Sequence, residues 1–263
     1  MRTRLSVHNT LGPTRYGYAL EQVLRSGSRR HLDIGCRDGS WLEELGRRGI
    51  ADLHGVDVNE DVILSSKKLS PELDLRYVPD TRRLPYADGS FDSVSLMDVL
   101  EHVDEPYQHG LLDEIHRVLR VGGTFVVTAP QQHVFSFLDT GNFKFRFKRL
   151  HRWWYTRKHG ARMYHYKYVE NPFGLVGDVM ASKAWHEHFS RAGLEALLKE
   201  HGFDVVDVDG AGLFYRTLDI PRLAIPIRRV QQLIRRIQLW DSARFESKDI
   251  YVTCRRNAAD AVA

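Results

Sequence analysis

The sequence predicts an α/β protein built on a doubly wound, mainly parallel seven-stranded sheet with helical insertions. Three observations carry this. Short apolar runs alternate with segments of helical period over short loops, the pattern of parallel strands joined by crossover helices. The first of these runs enters a turn with two glycines, Gly35-Cys36-Arg37-Asp38-Gly39. The second run ends in an acid, Asp57, about 20 residues on, where a βαβ unit places a carboxylate at the sheet edge.

Taken in order, a helical segment at 15–26 precedes the strand 30–34, whose apolar residues lead into the glycine turn. A helix at 39–48, a strand at 52–57, a helix at 60–69 and a strand at 73–78 continue the alternation. The runs 91–97 and 122–128 flank a helix at 106–119. A last helix, 190–201, is bounded by Ser190 as N-cap and Gly202 as terminating glycine, and strands follow at 203–209 and 249–254. Right-handed crossovers put the carboxyl ends of the first four strands along one edge.

The turn after the first strand is chemically specific. Gly35 and Gly39 permit positive φ and close approach of backbone to a ligand. The dinucleotide pattern G-x-G-x-x-G fits badly, because Arg37 stands two places after Gly35. Asp33, ending the strand, would repel a pyrophosphate but attract an ammonium group. S-adenosylmethionine carries a ribose and an ammonium and no phosphate, and it suits this arrangement. Asp57 is then the acceptor for ribose hydroxyls.

The following segments extend the pattern. They are Pro79-Asp-Thr-Arg-Arg-Leu-Pro-Tyr-Ala-Asp-Gly-Ser-Phe-Asp92, Leu100-Glu-His102 and Leu111-Leu-Asp-Glu-Ile-His-Arg-Val-Leu-Arg-Val-Gly-Gly123. In this order they resemble the class I S-adenosylmethionine-dependent methyltransferases, in particular the large group labelled type 11. The resemblance covers about residues 28–130 and returns weakly at 186–209. It implies that Asp33 orients the methionine end of the cofactor and that Asp80 and Thr81 meet the adenine amino group. Met97 and Asp98 would lie beneath the methyl donor. Gly35, Cys36, Arg37, Gly39 and Val58 complete the expected cofactor set, with Cys36 packing rather than reacting. Strands 203–209 and 249–254 would be the antiparallel pair this fold adds. One departure is Arg37, where the group usually has glycine; if positive φ is required there, arginine costs roughly a kcal/mol or more.

Composition bounds the rest. With 43% hydrophobic and 27% charged residues in 263, and no low-complexity run or repeat, residues 1–263 read as one domain. No stretch approaches the ~20 apolar residues of a membrane span. The N-terminal Met-Arg-Thr-Arg-Leu-Ser-Val-His-Asn-Thr lacks the apolar core of a signal peptide. Two cysteines, Cys36 and Cys254, give no disulfide framework, so a cytoplasmic location is expected. Neither has metal-ligand spacing, and His186-x-His188 lacks further ligands, so no metal is expected.

Two stretches stand outside the alternation. Residues 131–189 are an insertion of the kind that recognises an acceptor or forms a lid. Between Asn142 and Lys167 it holds nine Lys/Arg and no acid, interleaved with Phe143, Phe145, Phe147, Trp153, Trp154, Tyr155, Tyr164 and Tyr166, with Tyr168 just beyond. Its readings are nucleic-acid contact, an anionic membrane surface, an acceptor pocket, or a helical lid filling its own core. Nucleic acid is disfavoured because the whole chain carries a net charge of only +4. Within the second insertion, 211–247, Ile227, Val230, Leu233, Ile234, Ile237 and Trp240 share a helical face opposite Arg228, Arg229, Arg235 and Arg236. That face meets the protein's own core, a second subunit, or the inner face of an anionic membrane.

Methyl transfer from a sulfonium needs alignment and a dry site more than acid–base chemistry. A base is required only for a weakly acidic nucleophile, and His102 and His188 are the candidates, with His133 and His186 behind them. The expected function is transfer of a methyl group to oxygen of a small-molecule, glycan or lipid-linked acceptor. The competing function is a methyltransferase-like module that holds the cofactor and works through partners without turnover. The oligomeric state is left open.

Overall fold

The computed structural model describes residues 14–132, 146–169, 187–212, 227–245 and 249–258. Helix α1 (Arg15–Arg25) leads into β1 (Arg30–Ile34), α2 (Ser40–Arg47), β2 (Asp52–Asp57), α3 (Glu60–Leu69), β3 (Asp74–Tyr77) and β4 (Phe91–Met97). A tight helical turn, Leu100–His102, precedes α4 (Glu105–Val118) and β5 (Leu119–Pro130). Then come α5 (Lys148–His159), α6 (Ala161–Tyr168), α7 (Arg191–Glu200), β6 (Phe203–Ala211), α8 (Arg228–Phe245) and β7 (Asp249–Arg256).

The seven strands form one sheet in the order β3-β2-β1-β4-β5-β7-β6. The β1–β2, β1–β4, β2–β3 and β4–β5 pairs are parallel, whereas β7 runs against both β5 and β6. Strand β5 is longer than its apolar run, because Thr124–Pro130 all pair with β7 and its first residues reach back to Phe91 of β4.

Alternating side chains give the sheet two buried faces. Leu32, Ile34, Val94 and Leu96 pack with Leu111, Leu112 and Ile115 of α4 and with Leu194 and Leu198 of α7. The other face is covered by Tyr18, Ala19 and Val23 of α1, Trp41, Leu42 and Leu45 of α2, and Ile63 of α3. Helix starts follow from side-chain caps, which satisfy otherwise orphaned amides. Thr14 accepts from Gly17, Asn59 from Val62, Asp104 from Tyr107 and Ser190 from Gly193. Gly202, at φ +77°, ends α7 as its position in the sequence suggests.

The insertions are only partly described; Phe143, Phe145, His133 and His186 lie outside the described residues. In α5 and α6 the ring of His151 packs against Tyr155, Tyr164 and Tyr168, a small core of their own, while Trp153, Trp154 and Tyr166 face outward. The apolar face of α8 is split. Ile234 and Gln238 are buried, but Ile227, Leu233, Ile237 and Trp240 are exposed beside the arginines. Among the described residues, no helix is long and apolar enough to cross a membrane.

Candidate active site

The carboxyl ends of β1, β2 and β4 lie side by side, with Ile34 in register with both Val56 and Leu96, and Asp57 in register with Tyr77 of β3. This juxtaposition gathers Asp33, the 35–39 turn, Asp57, Val58, Met97 and Asp98 along one edge. Gly35 sits at φ +79°, and a Cβ there would come within 2.7 Å of Val99 Cγ2, so only glycine lets this turn pass the end of β4. Cys36 is buried with its sulfur against Gly55, and burial first, then Asp33 and Asp57, push its thiol well above the ordinary value. Its place is in the packing beneath the turn.

Arg37 has φ +47°, so this non-glycine residue does adopt the left-handed conformation. The Arg37 N–H donates to Asp57 Oδ2 at 2.8 Å, and the Asn59 N–H donates to Oδ1 at 2.9 Å. Asp57 therefore holds the glycine turn as well as offering its remaining lone pairs to the edge. That dual task is not evident from its position at the end of an apolar run.

Asp33 anchors a buried polar row. His31 and Asp33 alternate on β1, Ser93 and Ser95 alternate on β4, and the parallel register sets His31 beside Ser93 and Asp33 beside Ser95. All four point toward the α1–α3 face. The Ser95 hydroxyl donates to Asp33 Oδ1 at 2.5 Å, which leaves its oxygen to accept from His31 Nε2–H at 3.0 Å. His31 Nδ1 then accepts from Ser93 Oγ at 2.7 Å, and Ser93 in turn lies 2.7 Å from Ser28 Oγ. From Ser93 onward the donors point toward Asp33, while the Ser28 hydroxyl also donates to the Arg30 carbonyl at 3.3 Å. Burial, with help from His54, pushes His31 down to about 3, so the ring is neutral. Burial also raises Asp33 to about 7, with the Ser95 bond opposing and the Asp57 charge reinforcing. Among the described residues Asp33 has no cationic partner.

Asp80 and Thr81 follow β3. Arg82 takes both carboxylate oxygens of Asp80 at 2.9 Å and holds the group below the usual carboxylate range. The Thr81 N–H donates to Tyr107 Oη at 2.9 Å, which fixes the loop to α4.

Past β4, Asp98 takes φ +55°, accepts from Thr128 Oγ1 at 2.7 Å and is ion-paired with Arg15 of α1. Two non-glycine residues with positive φ thus flank the same edge, as strained backbone often does at sites of function. Glu101 is almost fully buried, and burial first, then Asp98, raise its carboxyl well above the ordinary value. His102 Nε2 stands 3.8 Å from Glu101 Oε1. The Glu187 N–H donates to the Glu101 carbonyl at 3.3 Å, so the segment carrying His188 returns against the segment carrying His102. Arg15 and Glu101 were not candidates from sequence. Arg15 leaves no signal there, since its partner is far along the chain; Glu101 stands in the recognised Leu-Glu-His run.

Residues 32–127 match the family model described as a methyltransferase domain. The "probable S-adenosylmethionine-dependent methyltransferase" of Mycolicibacterium smegmatis is 32% identical over 115 residues, 43% of this chain and 42% of that protein. Residues 32–127 are thus similar to the methyltransferase domain of the S-adenosylmethionine-dependent class. A ubiquinone biosynthesis O-methyltransferase of Xanthomonas campestris is 30% identical over 124 residues, covering 46% of the chain and 50% of that protein. The chain's matches thus span about half the length of these curated relatives. A methyltransferase structure from Archaeoglobus fulgidus, described as SAM-dependent, superposes with a TM-score of 0.54 at 21% identity, over 92% of this chain and 94% of that one. That likeness concerns the fold.

The residues of this methyltransferase domain suit the family's cofactor. A buried carboxylate with no cation beside it, at the end of β1, is a costly feature in an apolar interior unless a positive group joins it. An ammonium is such a group.

Proposed function

We propose that this chain is an enzyme that transfers a methyl group from S-adenosylmethionine to a hydroxyl oxygen of a small amphiphilic acceptor. What carries the reading is the convergence, on one sheet edge, of Asp33 without a described cationic partner, the 35–39 turn, Asp57 and the Asp98–Glu101–His102 segment. In this reading Asp33 takes the ammonium, Asp57 the ribose hydroxyls, and the Asp80–Thr81 loop with Val58 the adenine side. The backbone of Gly35, Cys36, Arg37 and Gly39 lines the methionine half, and Met97 forms a wall. When bound, S-adenosylmethionine supplies a methyl group already activated by its positive sulfur.

The protein's part is alignment and proton removal. His102, held beside Glu101, accepts the proton that a hydroxyl must lose as it attacks, and His188 faces the same acceptor. Oxygen as the acceptor atom is supported by the matched O-methyltransferases. An amphiphilic acceptor met at an anionic membrane surface is supported by the outward Trp153, Trp154, Leu233, Ile237 and Trp240 and their neighbouring Lys and Arg residues.

The test is formation of S-adenosylhomocysteine by the purified chain supplied with S-adenosylmethionine and a lipid or phenolic extract. Product is expected, with its rate reduced 10²-fold or more in His102→Asn and cofactor affinity unchanged. Cofactor binding without any product would overturn the enzyme reading in favour of a non-turnover module.

A further inference from the structure

Between α4 and the end of α7 lies a histidine cluster that the methyl-transfer reading does not use. His109 Nδ1 and His201 Nε2 face each other at 2.7 Å, and Glu200 Oε1 stands 4.0 Å from His109 Nδ1. These three ligand atoms lie within 4.8 Å of one another. Each ring has a separate carboxylate at its outer nitrogen. Asp113 Oδ1 accepts from His201 Nδ1–H at 2.6 Å, and Glu105 Oε1 stands 4.0 Å from His109 Nε2.

This is the donor pattern of a divalent transition-metal site. Asp113 fixes the His201 tautomer, so the Nε2 lone pair points inward. His109 shares its Nδ1 proton with that lone pair. Moving the proton to Nε2, on the side of Glu105, would turn a second lone pair inward without net proton release. The Asp113 carboxylate on the far nitrogen of His201 orients that ring and raises its basicity, while the Glu105 charge stands on the far side of His109 without a hydrogen bond to it. Two imidazoles and one carboxylate match the preferences of Zn²⁺ and its neighbours, with water in a fourth position. Metal–nitrogen bonds of about 2.0–2.1 Å in tetrahedral geometry need the nitrogens about 3.3 Å apart, so the rings must separate by roughly half an ångström. The His201 side chain is 7% exposed and that of His109 33%, while Glu200 and Asp113 are exposed, so the His201 ring is held and the entry side is open to water.

We propose that His109, His201 and Glu200 bind a divalent transition-metal ion of the Zn²⁺ class, with Asp113 positioning the His201 ring. The ion would tie α4, which follows the Glu101–His102 turn, to α7, which follows the returning segment 187–189. It would brace the acceptor side of the edge from outside, without entering the chemistry.

The experiment titrates the full, metal-stripped chain with Zn²⁺ by calorimetry and with Co²⁺ by visible absorption. One ion per chain is expected, with the intense bands of tetrahedral Co²⁺, and acidification to pH 5 should release it because protons compete for the ring nitrogens. Affinity should fall at least tenfold in His109→Gln, in His201→Ala and in Glu200→Gln, and 10–100-fold in Asp113→Asn. The exposed Glu200→Gln and Asp113→Asn variants preserve the fold if His201→Ala does not. Absence of one-to-one binding, or binding indifferent to both Glu200→Gln and His109→Gln, overturns the proposal.

Discussion

Replacing Asp33 by Asn should make the cofactor-free protein more stable while weakening S-adenosylmethionine binding. Asp33 is 3% exposed, and burial raises it from 3.8 to about 7. Its folded state binds the proton more tightly than the unfolded chain does. The associated stability is therefore complete below pH 3.8 and is lost as the pH rises through about 7. At pH 8 the loss amounts to roughly 4 kcal/mol, from ~1.4 kcal/mol for each tenfold change. Asparagine is isosteric, still accepts the Ser95 hydrogen bond and carries no charge, so it recovers most of this. With ~2–4 °C per kcal/mol for a chain of this size, melting should rise by about 5–15 °C at pH 8 and scarcely at pH 4. Cofactor affinity, read by calorimetry, should fall tenfold or more through loss of a charged hydrogen bond worth ~1.5–3 kcal/mol. An Asn variant no more stable than the parent at pH 8, or one whose gain persists at pH 4, refutes the reasoning.

Other outcomes follow from the same edge. Asp57→Ala should weaken S-adenosylmethionine at least tenfold and also destabilise the fold by ~1–3 kcal/mol, since the Arg37 and Asn59 amides lose their acceptor; calorimetry and urea unfolding measure the two effects. At position 37, where φ is +47°, Arg37→Ile should cost more than ~1 kcal/mol in urea and Arg37→Gly should not, because β-branched residues tolerate this region least; equal effects would mean the turn relaxes. Trp153→Ala or Trp154→Ala should change acceptor turnover and leave cofactor affinity nearly unchanged, whereas a collapse of that affinity would assign α5 to the cofactor side.

The sheet and its edge were legible because their signals are local. Gly35 and Asp57 stand where strands end, Gly39 opens the helix that follows, and the strand–helix alternation fixes which ends are neighbours. Even the doubt over Arg37 could be raised from sequence, since the family pattern has glycine where this chain has arginine. What could not be read is the partner of each side chain across the sheet. The period of two places His31 and Asp33 on one face, but only the register of β1 against β4 brings Ser93 and Ser95 to them. The Arg15–Asp98 pair and the His109–His201 pair join residues remote in sequence, and no motif announces them. The amphipathic helix 228–245 shows the opposite failure. Period says which residues share a face and not what that face meets, and Ile227, Leu233, Ile237 and Trp240 are exposed.

The buried row from Ser28 to Asp33 also explains how the edge tolerates its own electrostatics. An isolated carboxylate in this interior would stay protonated at neutral pH and could not hold a cation well. A short bond from Ser95 opposes that tendency, and it is backed by His31, which burial keeps neutral and so able to accept from Ser93 while donating to Ser95. The balance leaves Asp33 near neutrality of charge preference, at about 7. An arriving ammonium then tips it to the ionised form, so the site gives its full electrostatic attraction only to a ligand that brings positive charge to that one position. In the proposed reading, selectivity for a cationic amino acid moiety comes from burial and hydrogen-bond direction together, and neither Asp33 nor its strand would supply it alone.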